Sequence, residues 1–120
     1  MKITMNKIKN ILLLACVTLT LVGCGSSKRD IAVNVHSDPL GAYALMKVSY
    51  KKDDNSDWIF LGPTPIVIDK SIKFSGATSV SLKVIRPGFY EQVKTWSAKD
   101  FKREHSRNKE INWVPSLVKQ

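Results

Sequence analysis

Residues 31–50 read IAVNVHSDPLGAYALMKVSY, and this stretch decides the fold class. Ile31, Val33 and Val35 alternate with small or polar residues, the period of a strand with one buried face. Residues 37–41 (SDPLG) break the pattern. Pro39 fixes its own φ, and Gly41 tolerates the positive φ that other residues avoid. Residues 42–50 then resume as a second strand. Two strands joined by so short a turn predict a hairpin.

The same rhythm continues downstream. Residues 51–57 (KKDDNSD) form a polar loop, and 58–61 (WIFL) a short apolar strand halted by Gly62-Pro63-Thr64-Pro65. Residues 66–68 make another strand, with a break at 75–77. Residues 79–86 carry Val80, Leu82 and Val84 on one face; Pro87-Gly88 then turns the chain into a strand over 89–96. Residues 111–114 give a last strand, ended by Pro115. Short apolar runs between Gly/Pro turns predict an all-β protein, a small antiparallel β-sandwich of about seven short strands. Residues 97–109 (SAKDFKREHSRNK) interrupt the rhythm. Ser97 suits a helix N-cap with Asp100 near the positive end, so a short solvated helix near 98–107, with Phe101 its one apolar contact, stands beside a long polar loop as the two readings.

At 120 residues the chain holds one domain. Hydrophobic residues at 43% and charged residues at 24% exclude wholesale disorder. With 2 His and 2 Cys, a zinc finger and a multi-disulfide scaffold are excluded. Lys and Arg outnumber Asp and Glu by 19 to 10, a formal charge of +9, which points to anionic partners.

The first 23 residues read as an export signal. Lys2, Lys7 and Lys9 precede an uncharged run over 11–22 (ILLLACVTLTLV), the layout of a secretory leader. The run is shorter than the roughly 20 residues of a transmembrane helix. It ends in Leu21-Val22-Gly23-Cys24, which resembles the bacterial lipobox. The resemblance implies cleavage between Gly23 and Cys24 and attachment of acyl chains to Cys24. Cys16, after Leu13-Leu14-Ala15, is the competing match; cutting there leaves an apolar region below the roughly 7–15 residues such leaders carry. Each buried methylene contributes about 0.8 kcal/mol, and more than one chain is needed for lasting attachment. The organisation expected is therefore a cleaved leader over 1–23, a lipidated N-terminus and flexible tether over 24–30, and a β domain over 31–120. Gly25 follows the cysteine. In enteric-type envelopes an Asp there retains lipoproteins at the inner membrane, so the resemblance implies a cell-envelope location, the outer membrane where there are two.

Ser37, Pro39, Gly41 and Ala42, then Leu61, Gly62, Thr64 and Pro65, then Gly88 with Phe89 and Tyr90, resemble the turn motifs of the PEGA domain. Leu40 stands where the Glu of the family name would be, and the 51–57 loop and 97–109 segment are additions. The resemblance implies a compact envelope β module that binds or scaffolds and carries no catalytic residues.

Enzyme chemistry finds little purchase. His36-Ser37-Asp38 holds the letters of a hydrolase triad, but adjacent residues at a strand end point in different directions and do not align. There is no Gly-x-Ser-x-Gly elbow and no phosphate loop. Asp53, Asp54 and Asp57 lack the Gly and terminal Glu of a calcium loop. His36 and His105 lie far apart, so no metal or other cofactor is expected. Trp58, Phe60 and Trp113 are expected to fill the core, with a sugar-stacking platform as the competing use of the exposed aromatics. Lys99, Lys102, Arg103, Arg107 and Lys109 outweigh Asp100 and Glu104 and form a candidate contact for an anionic surface; nucleic acid is not expected for an exported chain. The expectation is an anchored, non-catalytic display module. Its partners are the membrane, through the acyl chains, and an envelope protein, cell-wall polymer or anionic surface. An accessory subunit of an export or surface assembly is the alternative, and an enzyme of unrecognised type the contrast.

Overall fold

The computed structural model describes residues 28–52 and 56–120. The leader, Gly23, Cys24, Asp53 and Asp54 lie outside the described residues. Seven strands and one helix follow in the order β1 (Lys28–Val35), β2 (Tyr43–Tyr50), β3 (Ile59–Pro63), β4 (Ile66–Lys73), β5 (Ala77–Ile85), β6 (Gln92–Ser97), α1 (Ala98–Asn108) and β7 (Ile111–Trp113). They form two sheets, β4-β1-β7 and β3-β2-β5-β6. All pairs are antiparallel except β1 with β7. The expected all-β sandwich is what the chain forms.

The alternation in the sequence becomes the core. Ile31, Val33 and Val35 of β1 are fully buried, as are Ala44 and Met46 of β2, and Val80, Leu82 and Val84 of β5. Successive side chains in a strand point to opposite faces, so each sheet supplies one apolar layer. Each fully buried Val, Leu or Ile contributes about 1.5–3 kcal/mol.

The first two strands are not a hairpin. One edge of β1 is taken by β4, from Lys28 opposite Lys73 to Val35 opposite Ile66, and the other by β7. The turn at 37–41 carries the chain across to the second sheet. It is held by Thr64. The Ala42 N–H donates to Thr64 Oγ1 (3.0 Å), and the Thr64 N–H donates to the Ala42 carbonyl (2.7 Å). The Ser37 and Thr64 hydroxyls bond each other, and Ser37 Oγ also donates to the Pro39 carbonyl at 2.9 Å. One assignment satisfies the donors: Ser37 gives its proton to Pro39, Thr64 gives its own to Ser37, and Ala42 gives to Thr64. Ser37, Ala42 and Thr64 are all buried, so each unmade bond here would cost more than a surface one. The Asp38–Pro39 and Thr64–Pro65 peptides are both cis.

The strand also begins earlier than its pattern suggests. Lys28, Arg29 and Asp30, read as tether, pair with Lys73, Ile72 and Ser71. Likewise β4 runs on through Asp69–Lys73, whose polar residues hide a strand in which Ile68, Lys70 and Ile72 share the inner side.

Residues 98–108 are helical. Asp100 N–H donates to Ser97 Oγ at 3.1 Å, and Lys109, at φ 64°, closes the helix with its N–H on the His105 carbonyl. Phe101 packs edge-on against Trp96 (5.4 Å between centroids) and tilted against Phe74 (6.2 Å). It is completely buried and, with the buried Ala98, docks the helix on the core. A second tie comes from His105, whose Nε2 accepts from the Ala32 N–H at 3.2 Å. That amide lies one residue before β7 pairing begins at Val33, so the histidine stands in for the missing strand.

The aromatic core is only partly the expected one. Phe74, Trp96 and Phe101 are buried and Trp113 packs partly buried against the core as expected, while Phe60 is 57% exposed and Trp58 is only partly covered. The end of the chain serves as a strap. Leu117 N–H donates to the Asp38 carbonyl, Tyr90 N–H to Val118 and Gln120 N–H to Gly88. Phe89 and Tyr90, read as strand, are instead held by this tail ahead of β6.

Candidate functional surfaces

The five basic residues of the helical segment are not all on one stripe. Lys99, Arg103 and Arg107, spaced four apart, form an exposed stripe along α1. Arg103 Nη1 sits 3.5 Å from Asp100 Oδ1, an exposed pair of little energetic weight that still offsets part of the charge. Lys102 turns away, its Nζ 5.5 Å from the Phe74 ring centroid. Lys109 is the left-handed residue ending the helix.

A different surface is more developed. The outer side of the four-stranded sheet carries Tyr43, Leu45 and Lys47 of β2, Phe60 of β3, Lys83 and Ile85 of β5, and Val93 of β6. Register brings them together: Tyr43 lies opposite Ile85, Leu45 opposite both Phe60 and Lys83, and Lys83 opposite Val93. Tyr43 and Phe60 meet with ring centroids 5.9 Å apart. Tyr43, Phe60, Ile85 and Val93 are all exposed. Beside them lies Trp58, with Lys83 Nζ 4.1 Å and Lys47 Nζ 5.1 Å from its ring centroid, a geometry in which each cation is attracted by the ring. Directly opposite Lys47 in register, Ser81 is buried and bonded to Thr95. No Asp or Glu occurs in β2, β3, β5 or β6. The face is thus apolar and cationic.

Sequence reasoning missed this face because β2 is apolar on both sides. Tyr43 and Leu45 alternate with the buried Ala44 and Met46, so no single face stands out. The usable signal was Lys47 and Lys83 on the odd positions, marking the solvent side of two strands whose outer face also carries Tyr43 and Ile85.

Clefts also lie elsewhere on the described residues. A cavity of about 350 Å³ lies between β4 and the β2–β3 side, lined by the apolar Met46, Val48, Ile59 and Ile72 and by the polar Tyr50, Ser56, Asp57, Lys70, Ser71 and Lys73. A shallow hollow of about 250 Å³ beside α1 is lined by Trp96, Arg103, Glu104 and Arg107, where Glu104 Oε2 is buried without a hydrogen-bond partner. Among the described residues no three His, Cys, Asp or Glu side chains gather to hold a metal ion. The triad letters are separated as well: Ser37 is buried and tied to Thr64, while His36 and Asp38 are exposed. His105 is engaged with Ala32. Among the described residues no helix is long and apolar enough to cross a membrane. Comparison with known proteins finds no matching family model, no matching curated protein and no matching solved structure.

Proposed function

We propose that this chain is a lipid-anchored protein of the bacterial cell envelope that presents a non-catalytic β-sandwich to a protein partner. The anchoring half of the reading is supported by the basic start, the uncharged run and Leu21-Val22-Gly23-Cys24. The PEGA-like half is supported by Thr64. This residue draws the Ser37-x-Pro39-x-Gly41-Ala42 turn onto the Leu61-Gly62-x-Thr64-Pro65 turn through three buried groups, which gives two separated motifs one structural purpose.

The observation that carries the binding half is the outer face of the four-stranded sheet. Exposed apolar side chains that adjoin one another, rather than lying scattered, characterise interaction sites. Aromatic anchors of this kind dominate protein–protein binding energy. A sugar platform is less well served, because the Trp58 ring has two lysines over it and the Tyr43 and Phe60 rings are tilted by 45°. The lysines and the absence of carboxylates in these strands suit a partner surface that is itself apolar with acidic residues at its rim.

Photo-crosslinking in intact envelopes tests the reading. A photoreactive residue at Phe60 or Ile85 is expected to trap one discrete protein adduct, while one at Val67, exposed on β4 of the other sheet, traps none. The adduct at Ile85 should vanish when Tyr43 and Phe60 are both changed to Ser. Equal labelling from Val67, or an adduct indifferent to the double substitution, refutes the assignment of this face.

A further inference from the structure

We propose that the end of the sandwich where β1 begins is a seat for anionic lipid headgroups, holding the domain upright on the membrane. The inference deepens the anchoring reading above and rests on it. Its first support is reach. Only residues 25–27 separate Cys24 from Lys28, the first residue of β1. At about 3.5 Å per residue, that link spans at most about 14 Å in any conformation. An acylated Cys24 at the bilayer surface therefore keeps this end of the domain within about two Debye lengths of the headgroups, about 8–10 Å each.

The second support is charge. Lys28 and Lys73 lie directly opposite each other in the β1–β4 register, with Arg29 next in line. Like charges so placed repel, and an anion between them removes the repulsion. The turn after β4 brings in two more cations: Lys51 N–H donates to the Gly76 carbonyl at 3.0 Å, and Tyr50 Oη donates to the Lys73 carbonyl at 2.8 Å, setting Lys51 and Lys52 beside Lys73. Lys99, in the first turn of α1, belongs to the same end, since Ser97 pairs with Ser79 near the start of β5. All six of these cations are exposed. The acids nearby are Asp30, Asp57 and Asp100, the last paired with Arg103, together with Asp53 and Asp54, which follow Lys52 in sequence.

The opposite end is balanced. Arg86 and Lys119 there are matched in number by Asp38 and Glu91. Six cations against Asp30, Asp53, Asp54 and Asp57 leave the end where the short link forces contact with a net charge of +2, while the far end is neutral. Of the basic helical segment, Lys99 belongs to the seat, while Arg103 and Arg107 climb away from it along α1. With the seat on the membrane, the outer face of the four-stranded sheet stands clear at the side, open to a protein partner.

The test uses the lipidated protein reconstituted in vesicles, with a dye on a single cysteine introduced by Ser75→Cys at the seat or Ser116→Cys at the far end. Quenching by a nitroxide on the lipid headgroup reports proximity. In vesicles of phosphatidylcholine with phosphatidylglycerol, quenching is expected to be strong at position 75 and weak at 116. The difference should shrink in 0.5 M salt, in pure phosphatidylcholine, and in a Lys28→Gln/Lys52→Gln/Lys73→Gln variant whose unchanged melting temperature shows an intact fold. At about 1 kcal/mol for each cation near an anionic surface, each substitution weakens the seated state about fivefold. Equal quenching at the two positions, or a difference indifferent to salt and to the triple variant, overturns the seat while leaving the anchor standing. An intact mass without acyl chains overturns the anchor and the seat with it.

Discussion

Replacing Thr64 by Val keeps the β-branched shape and removes one oxygen. That oxygen accepts the Ala42 N–H at 3.0 Å, and both residues are buried, Thr64 at 5% and Ala42 at 0% exposure. Val leaves the amide with no acceptor, and a buried donor without a partner costs about 1–3 kcal/mol. Ser37 is spared the worst of this, because its hydroxyl still donates to the Pro39 carbonyl. The expected loss is therefore about 2 kcal/mol, a large share of the 5–15 kcal/mol typical of a domain. Thr64→Ser, which keeps the oxygen, should cost less than half as much. Ser37→Ala should also cost less, since the Thr64 hydroxyl has the Ala42 carbonyl at 3.3 Å as a second acceptor. Urea unfolding of a water-soluble chain starting at Gly25, followed by tryptophan fluorescence, measures the difference. With a slope of about 1 kcal/mol/M, the Val variant moves the midpoint down by about 2 M. A Val midpoint no lower than that of Ser would refute the role given to this oxygen.

Three further substitutions probe other joints. Phe101→Ala removes the contact with Trp96 and Phe74 and should cost about 3–5 kcal/mol, a fall in melting temperature of more than about 12 °C for a domain of this size. His105→Phe keeps a ring but loses the acceptor for Ala32; it should cost about 1 kcal/mol, and amide exchange at Ala32 should quicken more than at Val33. Gly62→Ala places a side chain at φ +149°, with its Cβ 2.5 Å from Ile66 Cδ1, and should destabilise by about 1–3 kcal/mol in thermal melts.

The alternation in β1 and β5 and the Ser97 cap were legible because they are local: each needs only neighbours in sequence. The pairing of strands was not. Nothing in residues 31–50 announces that β1 has β4 and β7 at its edges, since both partners lie beyond residue 65. The same holds for His105, whose purpose is visible only once Ala32 lacks a strand partner. Trp58 and Phe60 were assigned to the core on size alone, yet Phe74, Trp96 and Phe101 fill it. With those three in the space, Phe60 is left exposed and Trp58 partly so. The cationic end was hidden for a related reason, its residues being dispersed over four segments that only the fold brings level.

Acylation of one sulfur underlies the anchored reading, and the intact mass of the protein extracted from cell membranes measures it. The account predicts a chain beginning at Cys24 whose mass exceeds that of its residues by a diacylglyceryl group or more. A species with a free Cys24 thiol, or one still carrying residues 1–23, would contradict it.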